Sequence, residues 1–291
     1  MEKIKNQVGI ISENVGVLTK RREYTRRQMR VSVDMLAKRL VDEYATSGAD
    51  GIYSAFVELC PSADARDRAR VCHTLCSEHR LAESLRAKNL YSCGDGATAQ
   101  TQGKIAYVKN LRSDDAFLTF ATRGKGAKAM YVGSFSEACE AVFDNVCEFC
   151  ILPIENGREG KLYSFYSMLD RYELKICDVA SCETDDGAES ITFALVSRGV
   201  VSRTDFKGIR RFEFSLIDES DDILTDILLA ANELGGRVVS VGTQPVPYDE
   251  LKNLYYFSID FPDAAADSMA LYINEEYPRY TSLGLYEIKH K

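Results

Sequence analysis

The stretch Glu148–Ile154, EFCILPI, is apolar at nearly every position. A strand wet on one side would alternate apolar and polar residues, so this one is expected to be buried on both faces. The flanking chain supplies the layers that would cover it. KIAYV (104–108) and AMYV (129–132) read as strands. A helix follows each, the first to about Thr122 and the second from Gly133 to about Val146. KLYSFYSMLDRY reads as a further helix, and LKICDVASC and SITFALVSR as two more strands. Strands alternating with helices predict an α/β unit with a largely parallel sheet over residues 103–200.

On either side the period changes. Ile4, Val8, Ile11, Val15 and Leu18 recur at spacings of 4, 3, 4 and 3, the seam of packed helices. Met29, Val33, Leu36 and Leu40 continue the pattern, predicting one helix from about residue 3 to 45. A short helix should follow from about Asp50 to Cys60, ended by Pro61. A third should cover about 62–90, opened by Ser62, a good N-cap. Residues 1–92 thus read as an all-helical region, and CGDGATAQTQG (93–103) as a small-residue linker. From RRFEFSLID (210–218) onward the pattern is strand, helix, strand, strand, helix, strand. This βαββαβ order is ferredoxin-like and covers residues 208–289. The fold class expected is α/β plus α+β, behind an all-α region.

Composition removes several classes. Hydrophobic residues make up 45% and charged residues 27%, the mix of a folded globular chain. No run of about 18 apolar residues exists, so no membrane span is expected. The N-terminus lacks a cleavable-signal pattern, and nine scattered cysteines suit reduced thiols, so a cytoplasmic location is expected. The net charge of −8 hides an asymmetry, because residues 1–40 hold ten Lys/Arg against four Asp/Glu. The basic cluster Lys20–Arg30 is either a solvated helix face or a site for a small anionic ligand. No aromatic-rich or Gly-rich signature points to nucleic acid as a partner. Cys147 and Cys150, with Cys177 and Cys182, could in principle chelate, as could Cys72, His73, Cys76 and His79. Cys150 lies inside the apolar strand, and the second set lies on a charged helix, so no metal is expected. With no P-loop, no G-x-S-x-G and no dinucleotide fingerprint, no cofactor is expected either.

CILPIENGREG (Cys150–Gly160) resembles the prephenate dehydratase signature, in which a buried strand ends in P-I-E-N and a glycine follows four residues after the Asn. Here these are Pro153, Ile154, Glu155, Asn156 and Gly160. Phe135 and SEACEAVFDNV precede the motif at the family's spacing. Phe165, Tyr166, Met168 and Leu169 follow it, then Leu174-Lys175-Ile176. The tail resembles the ACT domain of the same family, aligning without a gap from Asp222 to Pro245. The first helix resembles the chorismate mutase domain of bifunctional members, where two arginines seventeen residues apart bind the substrate's carboxylates. Lys5 and Arg22 sit at that spacing. Arg22 also falls on the apolar stripe, where a buried charge would need an anionic ligand or an internal salt bridge. The resemblance implies half of a periplasmic-binding-like dehydratase fold, an ACT-type regulatory unit and a link to phenylalanine biosynthesis.

The departures from the family are as informative. Its first catalytic loop, G-x-x-G-[ST]-[FY]-S, is here Lys109–Asp115, and only Ser113 matches. The similar GSFS at Gly133–Ser136 sits elsewhere, and Ser134 with Glu137 reads as a capping box. The family's T-R-F falls on Ile191-Thr192-Phe193. A shifted Thr192 could substitute, but one residue along a strand turns a side chain to the opposite face. Only fourteen residues separate Cys177 from Thr192, where the family has a whole second lobe. Fourteen residues make a loop and little else. In the ACT-like tail, Leu224 and Pro245 remain of the effector motifs, as packing residues.

The reading is a catalytically impaired or non-catalytic binding or regulatory relative; the alternative is an active dehydratase or mutase with a rebuilt site. Ser113, Glu155, Asn156 and Thr192 are the catalytic candidates, and Lys5, Arg22, Asn156 and Gly160 the ligand-binding ones. Ser113 and Glu155-Asn156 are expected to face each other at the C-terminal ends of the strands. They would hold a small neutral or amine-bearing molecule. In the competing reading, Glu155 and Asn156 merely cap the next helix. A homodimer through the long helix and the ACT-like sheet is expected.

Overall fold

The computed structural model describes residues 2–78, 81, 85, 103–123, 126–158, 160–183, 190–198, 208–217, 222–246 and 249–288, with residues 2–13, 45, 111, 123, 163, 249–251 and 263–264 in backbone only. Three helices come first: α1 (Glu2–Tyr44), α2 (Gly48–Leu59) and α3 (Ala65–Ser77). The middle of the chain runs β1 (Lys104–Val108), α4 (Leu111–Arg123), β2 (Lys128–Val132), α5 (Phe135–Phe143), β3 (Phe149–Asn156), β4 (Gly160–Lys161), α6 (Tyr163–Arg171), β5 (Lys175–Glu183) and β6 (Ser190–Ser197). It ends with β7 (Ile209–Ile217), α7 (Ile223–Glu233), β8 (Arg237–Val246), β9 (Asp249–Pro262), α8 (Asp263–Glu276) and β10 (Thr281–Glu287).

The helix α3 departs from expectation at both ends. Its cap is Asp64 rather than Ser62, with the carboxylate accepting the N–H groups of Arg66 and Asp67 at 3.0 Å each. A carboxylate there also meets the positive end of the helix. The helix stops at Ser77 because Glu78 turns extended, at φ −87° and ψ 111°. The predicted linker lies outside the described residues, apart from Gly103.

Among its described side chains, the first helix is buried at Val33, Ala37, Leu40 and Val41, all in its C-terminal half. Residues 14–25 are all exposed, including Val15, Val17, Leu18 and Tyr24. The three N-terminal helices share one core with α7 and α8. Ion pairs reinforce that contact. Arg26 meets Asp67 at 2.7 Å and Arg30 meets Glu233 at 2.6 Å. Arg70 meets Asp34 at 2.7 Å and Arg68 meets Glu276 at 2.6 Å. Part of the Lys20–Arg30 cluster is therefore an internal clamp.

All the described strands join one ten-stranded sheet in the order β2-β1-β3-β6-β5-β10-β7-β9-β8, with β4 beside β3. The sheet is mixed, which corrects the expectation of a largely parallel one. Only β2–β1, β1–β3 and β5–β10 are parallel. The strand β6 runs antiparallel to both β3 and β5. Residues 184–189 alone connect β5 to β6, too few for the crossover that a parallel pair requires. The last four strands are antiparallel, in the order β10-β7-β9-β8. As expected, β3 is buried on both faces. Cys150, Leu152 and Ile154 pack toward α5 and α6, while Phe149 and Ile151 pack toward α4.

The sheets of the middle and C-terminal regions join where Gly284 of β10 pairs with Ile176 of β5. A Cβ on Gly284 would lie 2.7 Å from the Ile176 carbonyl oxygen and 2.8 Å from its Cβ. Beside it, the Lys175 ammonium donates to the Ser282 carbonyl. Backbone this close admits no side chain. Gly284→Ala is therefore expected to cost about 1–3 kcal/mol of stability in chemical denaturation, the usual penalty of overpacking. Gly16→Ala, with nothing within 4 Å of the new methyl, is expected to be neutral or mildly stabilising.

Candidate functional site

The strand β3 carries a bulge where it leaves the core. Pro153 lies opposite Phe193 and Glu155 opposite Thr192, so Ile154 is the extra residue. Unbroken alternation would put Glu155 on the α4 side with Ile151. The bulge instead brings it to the face of Thr192, Ala194 and Val196, because directly paired residues share a face. On its other side Glu155 pairs with Lys161 of β4. Thr192, Glu155 and Lys161 thus stand in a row across three strands, beneath α6.

Lys161 reaches further. Its ammonium lies 2.7 Å from Glu213 Oε1 and donates to the Tyr166 hydroxyl at 3.1 Å. Glu213, on β7, is 1% exposed. It also accepts hydrogen bonds from Ser258 of β9 at 2.9 Å and from Tyr286 of β10 at 3.0 Å. Burial opposes the charged form of Glu213. The Lys161 ammonium and the hydroxyls of Tyr166 and Ser258 more than offset this and hold its carboxyl below the usual range. Burial pushes the Tyr166 and Tyr286 phenols well up, with the nearby Glu213 charge adding to it, so both stay neutral. Gln244 adds a second link, accepting from Ser167 of α6 at 3.3 Å.

The other candidates have different places. Asn156 Oδ1 accepts the Arg158 N–H at 3.1 Å, and the Gly157 N–H donates to the Ser190 carbonyl at 2.8 Å. Gly160 pairs with Asn156 at φ +74°, a left-handed conformation that glycine adopts without strain. Asn156 and Gly160 are therefore turn residues of the β3–β4 hairpin. Neither Glu155 nor Asn156 caps α6, whose N-cap, Leu162, makes no side-chain cap bond. Ser113 is not in the loop after β1 but in the first turn of α4. It is 1% exposed, and its N–H donates to Asn110 Oδ1 at 2.9 Å. Asp114 receives the Tyr107 hydroxyl at 2.8 Å. Among the described residues no hydrogen bond joins Ser113 to Glu155 or Asn156.

The Lys5 side chain lies outside the described residues. Arg22 is exposed, so it carries no burial cost that a ligand or salt bridge must relieve; within the Lys20–Arg30 cluster, Arg26 and Arg30 are the arginines shown with buried carboxylate partners. Leu224 packs on the helical core, whereas Pro245 is exposed on β8, the edge strand. A proline is tolerated there because the outer side has no ladder to donate to. Ser134 does cap α5, accepting the Glu137 N–H at 3.1 Å, while the Glu137 carboxylate accepts the Gly133 N–H at 2.8 Å. Cys147 and Cys150 are buried in the core with Cys139. Cys72 is fully buried, His73 Nδ1 lies 3.1 Å from Ser268 Oγ, and His79 lies outside the described residues. Among the described residues no group of three or more His, Cys, Asp or Glu is placed to hold a metal, and no helix is long and apolar enough to cross a membrane.

No protein-family model matches the chain, and no curated protein matches it. Solved structures do. The prephenate dehydratase from Arthrobacter aurescens, solved in complex with L-Phe, aligns at a TM-score of 0.52 and 13% identity, over 64% of this chain and 90% of that one. The prephenate dehydratase from Streptococcus mutans aligns at a TM-score of 0.50 and 18% identity, over 64% of this chain and 99% of that one. The likeness is one of fold.

The Glu213 cluster sets a pH dependence. A carboxyl held lower in the folded than in the unfolded chain stabilises above its unfolded value and loses that contribution as pH falls. The stability gap between the native chain and Glu213→Gln, measured by urea denaturation, is expected to be full near pH 6 and to shrink below about pH 4.3, the unperturbed Glu value.

Proposed function

We propose that this chain is a non-catalytic relative of the prephenate dehydratases. In this reading it is a homodimeric binding or regulatory protein that holds a small amine-bearing or neutral polar ligand against Glu155 and Thr192, with the βαββαβ tail as an ACT-type unit. The observation that carries the reading is the direct pairing of β5 with β6, joined only by residues 184–189. The resemblance to the family calls for a second lobe at this place. Prephenate turnover needs a proton donor for the leaving hydroxyl and an enclosed cation-rich cleft for two carboxylates. Here the cation paired with Glu155, Lys161, is committed to Glu213. Glu155 adds a negative charge that opposes a dicarboxylate and suits an ammonium. An amino acid carries that ammonium, and the Arthrobacter protein was solved with L-Phe, which makes L-Phe the first probe.

Glu155 beside Thr192 is also a pair capable of acid–base work, which keeps the active-enzyme reading testable. Purified protein is expected to convert prephenate to phenylpyruvate at least about 10²–10⁴-fold more slowly than a normal dehydratase, the loss that follows from a missing proton donor. Turnover at a normal rate would refute the proposal. L-Phe is expected to raise the melting temperature of the native chain but not of Glu155→Gln. Stabilisation by prephenate that survives this substitution would equally contradict it.

The homodimer rests on the exposed apolar residues of α1, Val15, Val17, Leu18 and Tyr24, which a second copy would cover. Light scattering is expected to return a dimer, and a paired Val15→Asp/Leu18→Asp change a monomer. A native monomer at micromolar concentration would overturn this part.

A further inference from the structure

In a βαββαβ unit the two helices cover one face of the sheet. Phe212, Phe214, Leu216, Phe257, Ile259 and Phe261 make that covered face here. Glu213, Ser215, Ser258 and Asp260 point the other way, and each is 3% exposed or less. The cover on that second face comes from the middle of the chain. Tyr166 of α6 packs against Tyr256 of β9, with ring centroids 5.8 Å apart. Lys161, on the last strand of the hairpin, enters the same layer and ends on Glu213.

Two charges share this layer with unequal support. Asp260 is gripped twice within its own unit, by Arg211 at 2.6 Å and by Arg237 at 2.7 Å. Glu213 is a buried carboxylate whose ion-pair partner comes from outside the unit. A buried charge without its partner is strongly unfavourable, so the tail's sheet fixes where the Lys161 ammonium must sit. Lys161 in turn is the cross-strand neighbour of Glu155.

We infer that the Lys161–Glu213 pair is a linkage through which the C-terminal sheet sets the position of the Glu155–Thr192 pair. Lys161 is a positioning residue. A displacement of β7 or β9, from an effector or from a second copy on the tail, moves Glu213, draws Lys161 and shifts the β3–β4 hairpin. The hairpin can respond because it is short: β4 has two residues, which pair with Glu155 and Asn156, and Leu162 N–H donates to the Ile154 carbonyl and Gly157 N–H to the Ser190 carbonyl. The inference rests on the reading of Glu155 and Thr192 as the ligand site, which it deepens by naming what regulates that site.

The test is residue-resolved amide exchange on the ligand-free full chain. Lys161→Met/Glu213→Gln removes both charges yet keeps an acceptor for the Ser258 and Tyr286 hydroxyls. The Gly157 and Leu162 amides are expected to exchange about tenfold faster or more, with the β7–β9 amides unchanged. Ser258→Ala and Tyr286→Phe each remove one hydrogen bond from Glu213 without touching the hairpin, and are expected to loosen the same amides on the order of fivefold. They decide the matter should the double variant not fold. Lys161→Arg, which restores the charge, is expected to return protection to the hairpin. Hairpin protection unchanged in the remote variants, or lost equally in β7–β9, would overturn the linkage. A hairpin that loosens in a protein that L-Phe never stabilises upholds the linkage and sinks the ligand reading alone.

Discussion

The pairing of Gly284 with Ile176 decides what the rest of the structure must solve. Two backbones meet there with no room for a Cβ, and the meeting turns two strand systems into one sheet. With β10 locked beside β5, the outer face of β7 and β9 is carried under α6. Polar side chains that would be solvated on an isolated unit are then buried. Each must find a partner or cost a large fraction of the stability of a folded chain. The Arg211–Asp260 fork solves this within the unit. Glu213 draws its partner, Lys161, from the hairpin that ends the P-I-E-N strand.

The same logic runs on the helical side of the sheet. Asp67 is 4% and Glu233 8% exposed, and both are reached by arginines of α1. Burial raises the Asp67 carboxyl, and Asp64 and Glu233 add to it, so Arg26 is what keeps that carboxylate workable. The charged N-terminal helix is thus tied to a helix of the C-terminal unit by ion pairs to a buried carboxylate, Glu233. Removing one member would leave the other stranded, the costly half of any such pair. Other regions of the chain thus reach both sides of the C-terminal unit: the N-terminal helices pack on α7 and α8, and α6 lies over the opposite face of the sheet.

Much of this was legible in the sequence because periodicity reports local burial. The helix α1, the double-sided strand β3, the Ser134–Glu137 cap and the strand and helix order of the tail all follow from spacing alone. The antiparallel β5–β6 pair was missed, because the alternation of strands and helices suggested a largely parallel sheet, whereas the short connection between these two strands forbids a crossover. The Glu155–Thr192 match was hidden by the bulge at Ile154, because alternation counted along each strand puts the two on opposite faces. Glu213 was hidden differently. In RRFEFSLI the polar residues alternate with Phe212, Phe214 and Leu216, the pattern of a strand with one wet face. That face is dry only because α6, from the middle of the chain, lies over it, and nothing local records that. Ser113 misled by motif matching: it sits where a family's serine would, but its role is inside the first turn of α4.

The central claim is that the middle and C-terminal regions are one cooperative body joined through β5 and β10. Native-state amide exchange under rising denaturant tests it most directly. The amides of Ile105, Ala106 and Leu152 in the middle region and of Phe257, Ile259 and Phe261 in the tail should converge on a single unfolding free energy, as cooperative units do. Two separate values, with one region opening while the other keeps its protection, would contradict the account.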